Sequence, residues 1–166
     1  MSRAPFVVMP LDDGHQRASF SSDSELLNRY FQQQATEDIR RRVAACFVAV
    51  TDDRRIAGYY TLAATSVLLT DLPINVGKKL PRYPSVPAIR MGRLAVDREF
   101  TGQGLGGALL ADALERCLRS EIAAFALTVD AKHDSAAAFY LHHGFLALSD
   151  TPLSLFLPLA TARRLM

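Results

Sequence analysis

The sequence predicts an α/β fold built on one mixed sheet of six to seven strands, flanked by about four helices. Three observations carry this. Short runs rich in β-formers alternate with stretches of helical periodicity. Strand-helix-strand order in the second half calls for parallel strands joined by right-handed crossovers. Two early strands separated by the polar turn Asp52-Asp53-Arg54-Arg55 read as an antiparallel hairpin.

Element by element, residues 6–11 read as a first strand. Ser22-Asp23-Ser24-Glu25 offers a helix start, a small polar cap with a carboxylate three residues on. Helical text runs to about residue 44, broken near 34–36. Strands follow at 46–51 and 56–69. Residues 70–87 hold Pro73, Gly77, Pro81, Pro84 and Pro87, a density that predicts a long surface loop. Loops of that length in a compact domain are commonly functional or mobile. A strand is expected over 88–96. A helix over 104–118 places Leu110, Ala113, Leu114 and Cys117 on one face. A strand over 125–129 leads to a helix over 134–143, capped by Asp134 and stopped by Gly144. Strands at 145–148 and 154–157 close the chain.

The length of 166 residues suits one domain, and residues 1–166 are expected to form one. Apolar residues make up 49%, enough for a sizeable core. No stretch approaches the roughly 18 consecutive apolar residues of a membrane span. Met1-Ser2-Arg3-Ala4-Pro5 leads to a polar run without a secretory signal's apolar stretch. A cytoplasmic protein with no membrane contact is expected. Cys46 and Cys117 stand alone among apolar neighbours and read as small buried hydrophobes. His142 and His143 are adjacent, about 100° apart on a helix, with no second ligand pair, so no metal is assigned.

The net charge of +2 is unevenly spread. Residues 40–93 carry ten Lys or Arg against Asp52, Asp53 and Asp71, a local +7, which leaves −5 elsewhere. Such asymmetry points to a polyanionic partner such as nucleic acid, but by itself it is explained as well or better by a solvated face with no partner.

The most informative stretch runs from Leu94-Ala95-Val96-Asp97 through Thr101-Gly102-Gln103-Gly104-Leu105-Gly106-Gly107. A strand enters a glycine-rich turn from which a helix starts. A helix's first turn leaves backbone N–H groups without partners, at the end its dipole makes attractive to anions. Glycines let the backbone approach a phosphate closely. The chemistry suited to the turn is phosphate or pyrophosphate binding, although a structural turn uses glycines too. The spacing matches neither a P-loop nor a Rossmann fingerprint.

Arg93-Leu94-Ala95-Val96-Asp97 followed by Thr101-Gly102-Gln103-Gly104-Leu105-Gly106 resembles motif A of the Gcn5-related N-acetyltransferases, the GNAT family, whose signature is Gln/Arg-x-x-Gly-x-Gly/Ala. Thr101 departs from the Gln/Arg position. Ala137-Ala138-Phe139-Tyr140-Leu141-His142-His143-Gly144-Phe145 resembles the family's motif B. The resemblance implies the GNAT fold and acetyl-CoA as acetyl donor, held by Leu94, Ala95, Val96, Thr101, Gly102, Gln103, Gly104, Leu105, Gly106 and Gly107. Backbone amides of Leu94 and Val96 would face the thioester. Tyr140 would be the general acid for the departing thiolate, since its ordinary pKa near 10 suits donation to a thiol anion. Without that motif, Tyr140 reads as a ring packing on Phe139 and Phe145.

Within the family, Tyr30, Gly58-Tyr59-Tyr60-Thr61-Leu62, the proline-rich loop and Val129-Asp130-Ala131-Lys132 are similar to GNAT-type toxins that acetylate charged tRNA and are neutralised by a ribbon-helix-helix antitoxin. The similarity implies an aminoacyl-tRNA substrate and such an antitoxin as partner, and leaves a homodimer open. Arg40, Lys78, Lys79, Arg82, Arg90 and Arg93 are then the candidate tRNA contacts. No histidine or glutamate stands out as a general base. An esterified aminoacyl α-amine has a lowered pKa and needs little help near neutral pH. Two other readings stand beside this one: an acetyltransferase for a small amine or a protein N-terminus, and a non-catalytic coenzyme A-binding module.

Overall fold

A computed structural model of the protein describes residues 6–165, so the expectation for Met1 to Pro5 lies outside the described residues. The elements are β1 (Phe6–Pro10), α1 (Glu25–Gln33), α2 (Ala35–Arg40), β2 (Ala45–Thr51), β3 (Ile56–Leu68), α3 (Ile74–Gly77), β4 (Ser85–Val96), α4 (Leu105–Arg119), β5 (Ala126–Asp130), α5 (Asp134–His142), β6 (Leu146–Leu148), β7 (Thr151–Pro158) and α6 (Leu159–Leu165). The strands form a seven-stranded sheet in the order β1-β2-β3-β4-β5-β7-β6.

The hairpin is present: β2 and β3 pair antiparallel from Ala45↔Leu62 to Val50↔Ile56. β4 and β5 pair in parallel, Ala88 with Ala126 through Met91 with Val129. The second expected parallel pair does not form. Three-residue β6 is too short to cover β5, and β7 takes that place, antiparallel from Ala126↔Pro158 to Asp130↔Ser154. The last turn of the chain, α6, has no counterpart in the sequence-based expectation. Its seven residues are too few for a clear helical period.

The chain divides into two compact units. Among the described residues, the first comprises 6–63 and 92–113, the second 64–91 and 114–165. In the first, the buried rings of Phe31 and Tyr59 stack with centroids 4.4 Å apart, and Phe20 meets both edge-on. The Tyr59 hydroxyl donates to the Leu27 carbonyl at 2.7 Å and fixes α1 on the sheet. A Cβ at Gly58 would lie 2.9 Å from both the Ala95 carbonyl and a Leu109 methyl. Only glycine lets β3 pass so close to the end of β4 and to α4. The cap of α1 is Ser24, whose side chain accepts from the Leu27 amide. Ser22 is instead buried, its hydroxyl 2.7 Å from Asn28 Oδ1.

In the second unit, Val67, Leu72, Val86, Ala88, Ala126 and Phe156 form a core. The proline-rich segment is not the open loop expected. It contains a 3-10 turn at Leu69–Asp71 and the single helical turn α3. Leu72 is buried, and Leu69, Val76 and Leu80 pack on the same core. The Leu69 amide donates to the Pro84 carbonyl at 3.0 Å, and the Ser149 amide to the Asp71 carbonyl at 2.8 Å. Pro73, Pro81, Pro84 and Pro87 interrupt the segment and conceal these apolar anchors from a periodicity search. The cap of α5 is His133, whose Nδ1 accepts from the Ala136 amide, while Asp134 lies in the first turn. Gly144 ends that helix, as expected. Cys46 and Cys117 are both free and buried; burial pushes their thiols up to about 12 and about 11.

Candidate active site

The loop between β4 and α4 is built around Asp97. This carboxylate is buried, and its two oxygens divide their work. Oδ1 accepts from the Glu99 amide at 2.9 Å, which caps a 3-10 turn over Arg98–Phe100. Oδ2 accepts from the Ser21 amide, also at 2.9 Å. The Arg98 amide and Nε donate to the Ser21 and Ser22 carbonyls at 2.9 and 3.1 Å. The chain ahead of α1 is thereby tied to the end of β4.

Between these segments lies a groove of about 650 Å3, lined by Ser22, Asp23, Leu27, Leu94, Ala95, Val96, Arg98 and Thr101. It contains the β4 residues expected to face the thioester. It also contains Asp23, an exposed carboxylate that sequence reasoning treated only as part of a helix cap. Nothing in its spacing marked it, since only folding brings residue 23 into one groove with residues 94–96.

Beyond Thr101 the backbone takes positive φ at Gly102 (78°) and Gly104 (77°). A Cβ at either would meet nothing within 4 Å, so their freedom serves backbone direction and not packing. The Gly104 carbonyl accepts from the Ala108 amide at 3.1 Å, the first bond of α4. The amides of Leu105, Gly106 and Gly107 therefore head the 15-residue helix without intrahelical acceptors. Gln103 and Gly104 are exposed, Gly106 and Gly107 half-buried, and Leu105 turns into the core. An exposed helix start with two positive-φ glycines fits a pyrophosphate. The Thr101 hydroxyl is engaged with the Arg98 carbonyl at 3.1 Å and braces the turn.

Tyr140, in the second unit, is buried between Phe139 and Phe145, whose centroids lie 5.1 and 5.4 Å away. Its hydroxyl bonds to no described residue. No buried side-chain polar atom among the described residues lacks a partner, so that hydroxyl is the accessible tip of a buried ring. Burial pushes it up to about 12 and keeps the proton on it at neutral pH.

The six cations singled out in the sequence differ in their surroundings. Arg40 is ion-paired with Glu37, which also holds Arg41. The Arg93 guanidinium lies 3.5 Å from the Tyr30 ring centroid, and the Tyr30 hydroxyl donates to Asp38 at 2.8 Å. Burial and that bond raise Tyr30 far above its ordinary range, against the opposing charge of Arg93. Arg93 is thus packed against α1, not extended. Lys78, Lys79, Arg82 and Arg90 are exposed and form no ion pair with any described residue. No group of three or more metal-ligating side chains occurs among the described residues. No helix among them is long and apolar enough to cross a membrane.

A strand that ends in a glycine turn and an exposed helix start suits a phosphate-bearing donor such as an acyl-coenzyme A. The acetyltransferase (GNAT) family model matches residues 11–145, and the chain belongs to that family. A tRNA-acetylating toxin of Mycobacterium tuberculosis is 39% identical over 157 residues, covering 93% of each chain. A probable toxin TacT of Sinorhizobium fredii is 29% identical, covering 96% of this chain and 94% of its own. Among solved structures, a tyrosine-to-phenylalanine mutant of KacT superposes with a TM-score of 0.91 at 26% identity, over 98% of this chain and 100% of that one. AtaT complexed with acetyl-methionyl-tRNA gives a TM-score of 0.85 at 28% identity, over 96% and 98% of the two chains. The mixed seven-stranded GNAT fold and acetyl-CoA as donor follow for this protein.

Proposed function

We propose that this protein transfers acetyl from acetyl-CoA to the α-amine of an aminoacyl-tRNA, and that it acts as a translation-blocking toxin held in check by a ribbon-helix-helix antitoxin. The observation that carries this is the 39% identity, across 93% of both chains, to a tRNA-acetylating toxin. The four exposed, unpaired cations of residues 78–90 supply the charge that such a substrate requires. The family model's span of 11–145 supports treating 1–166 as one acetyltransferase domain. Its site of action would be the cytoplasm, where charged tRNA is found.

Acetyl-CoA supplies an activated acyl group. The chain's residues supply the rest. Amides of Gln103, Gly104, Gly106 and Gly107 hold the pyrophosphate at the head of α4. Leu94 and Val96 present backbone amides to the developing oxyanion. Tyr140 donates its proton to the leaving sulfur. Asp23, which lines the same groove as Leu94, would receive the acceptor's ammonium and orient it before deprotonation.

A second reading, a small-amine or peptide acetyltransferase, draws on that same carboxylate, because a cationic amine needs no RNA-binding surface to find it. Radiolabelled acetyl-CoA, incubated with total charged tRNA and with free amino acids, separates the two. Label carried into precipitable RNA and released by mild base is expected. Label in free amino acids alone would establish the small-amine enzyme.

A further inference from the structure

The segment Lys78–Pro84 combines three properties that the transferase chemistry does not require. It holds Lys78, Lys79 and Arg82, all exposed and without an ion pair to any described residue. It holds Tyr83, an aromatic side chain left 65% exposed directly beside Arg82. And its backbone is anchored: the Tyr83 amide donates to the Pro81 carbonyl at 2.9 Å, the Leu80 amide to the Gly77 carbonyl at 3.1 Å, and Leu80 packs against the core. Other tyrosines find cover. Tyr59 and Tyr60 are fully buried, and Tyr30 is half-buried beneath Arg93.

An aromatic ring on a surface costs free energy by ordering water around it. A turn that holds Pro81 and Pro84 and carries three exposed cations beside the ring suits it to a ligand. Unpaired bases stack on aromatic side chains, while cations beside the ring take the flanking phosphates. A ring whose backbone is already fixed loses little entropy when a base lands on it.

We propose that Tyr83 is a base-stacking residue, which docks an unpaired base of the aminoacyl-tRNA while Lys78, Lys79 and Arg82 hold the adjacent backbone. The inference rests on the tRNA reading and adds to it recognition of a base, where the cations alone supply only charge.

The test compares wild type, Tyr83→Ala and Tyr83→Phe with one charged tRNA as substrate, across a range of salt. Removal of a stacking ring should raise KM roughly five- to a hundredfold with kcat nearly held. Tyr83→Phe keeps the ring and should stay within about twofold of wild type. Because no charge is removed, the dependence of log(kcat/KM) on log salt should keep its slope in Tyr83→Ala. Thermal melting of the variants reports their folding directly, and an exposed side chain predicts an unchanged Tm. A KM within twofold of wild type for a folded Tyr83→Ala overturns the inference. So does equal damage from Tyr83→Phe, which would assign the effect to the hydroxyl. If tRNA turnover stays unchanged while inhibition by a purified antitoxin is lost, the ring serves a protein and the inference falls. If the wild type acetylates no charged tRNA, the functional reading fails first and the stacking role with it.

Discussion

Asp97 Oδ2 accepts the Ser21 amide at 2.9 Å, across 76 residues of sequence. The bond joins the end of β4 to the segment that carries Ser22 and Asp23, alongside the two that Arg98 makes to the Ser21 and Ser22 carbonyls. Asp97→Ala removes the acceptor for two amides, Ser21 and Glu99. We expect a stability loss of about 3 to 6 kcal/mol, from two hydrogen bonds to a charged group at about 1.5 to 3 kcal/mol each. Asp97→Asn keeps one acceptor oxygen and should lose roughly half as much. Denaturant melts of the three proteins measure this, and acetyl-CoA KM should rise in the same order.

Gly104 and Gly58 predict opposite failures. Gly104 has φ +77° and open space around it, so Gly104→Val strains the backbone by about 1 to 2 kcal/mol without a clash. The variant should fold, and calorimetry should find acetyl-CoA binding abolished. At Gly58 an added methyl meets a backbone oxygen and a buried leucine at 2.9 Å. Gly58→Ala should therefore lower Tm in a thermal scan before any effect on the cofactor is measured.

Tyr140→Phe preserves the ring between Phe139 and Phe145 and removes the proton. Turnover should fall by roughly 10²-fold or more, with acetyl-CoA affinity held, as single-turnover and binding assays would separate. Because burial raises Tyr140 to about 12, its donor form persists through the neutral and mildly alkaline range. The pH-rate profile should show no loss from this group below about pH 10. The stabilisation linked to that raised pKa is likewise complete below about pH 10, the ordinary tyrosine value, and disappears as pH rises through about 12.

Lys78 and Lys79 are exposed and unpaired among the described residues, so reversal of both should leave folding and acetyl-CoA binding intact. For every phosphate no longer neutralised, the salt dependence of tRNA binding should flatten by about 0.7 to 0.9 log units per log unit of salt. Arg40→Glu should matter less, since its charge is already shared with Glu37. Filter-binding titrations at several salt concentrations measure both slopes.

The hairpin, the glycine turn and the helix after it were legible because each rests on local chemistry: a polar turn, positive-φ glycines, an amphipathic period. The packing of Tyr140 on Phe139 and Phe145 was legible from their neighbourhood in sequence. The position of β7 between β5 and β6 was not, because strand order depends on length and packing that no local pattern records. Ser24 and His133 displaced Ser22 and Asp134 as caps by one or two residues. At that scale the choice is made by tertiary bonds, such as the one from Ser22 to Asn28. The uneven charge is legible as a sum. How its members differ is not, because Glu37 and Tyr30 engage Arg40 and Arg93 only once α1 and α2 have formed. Asp23 escaped notice for the same reason as the groove it lines.

The proline-rich segment has a consequence beyond its place in the fold. Its ends are joined by the bond from Leu69 to Pro84, and its 3-10 turn is tied to Ser149. A surface held in this way does not mould itself to what it meets. The backbone positions of its cations are set when the chain folds, and only their long side chains are left to adjust. On the tRNA reading, binding there would cost side-chain order but little backbone order.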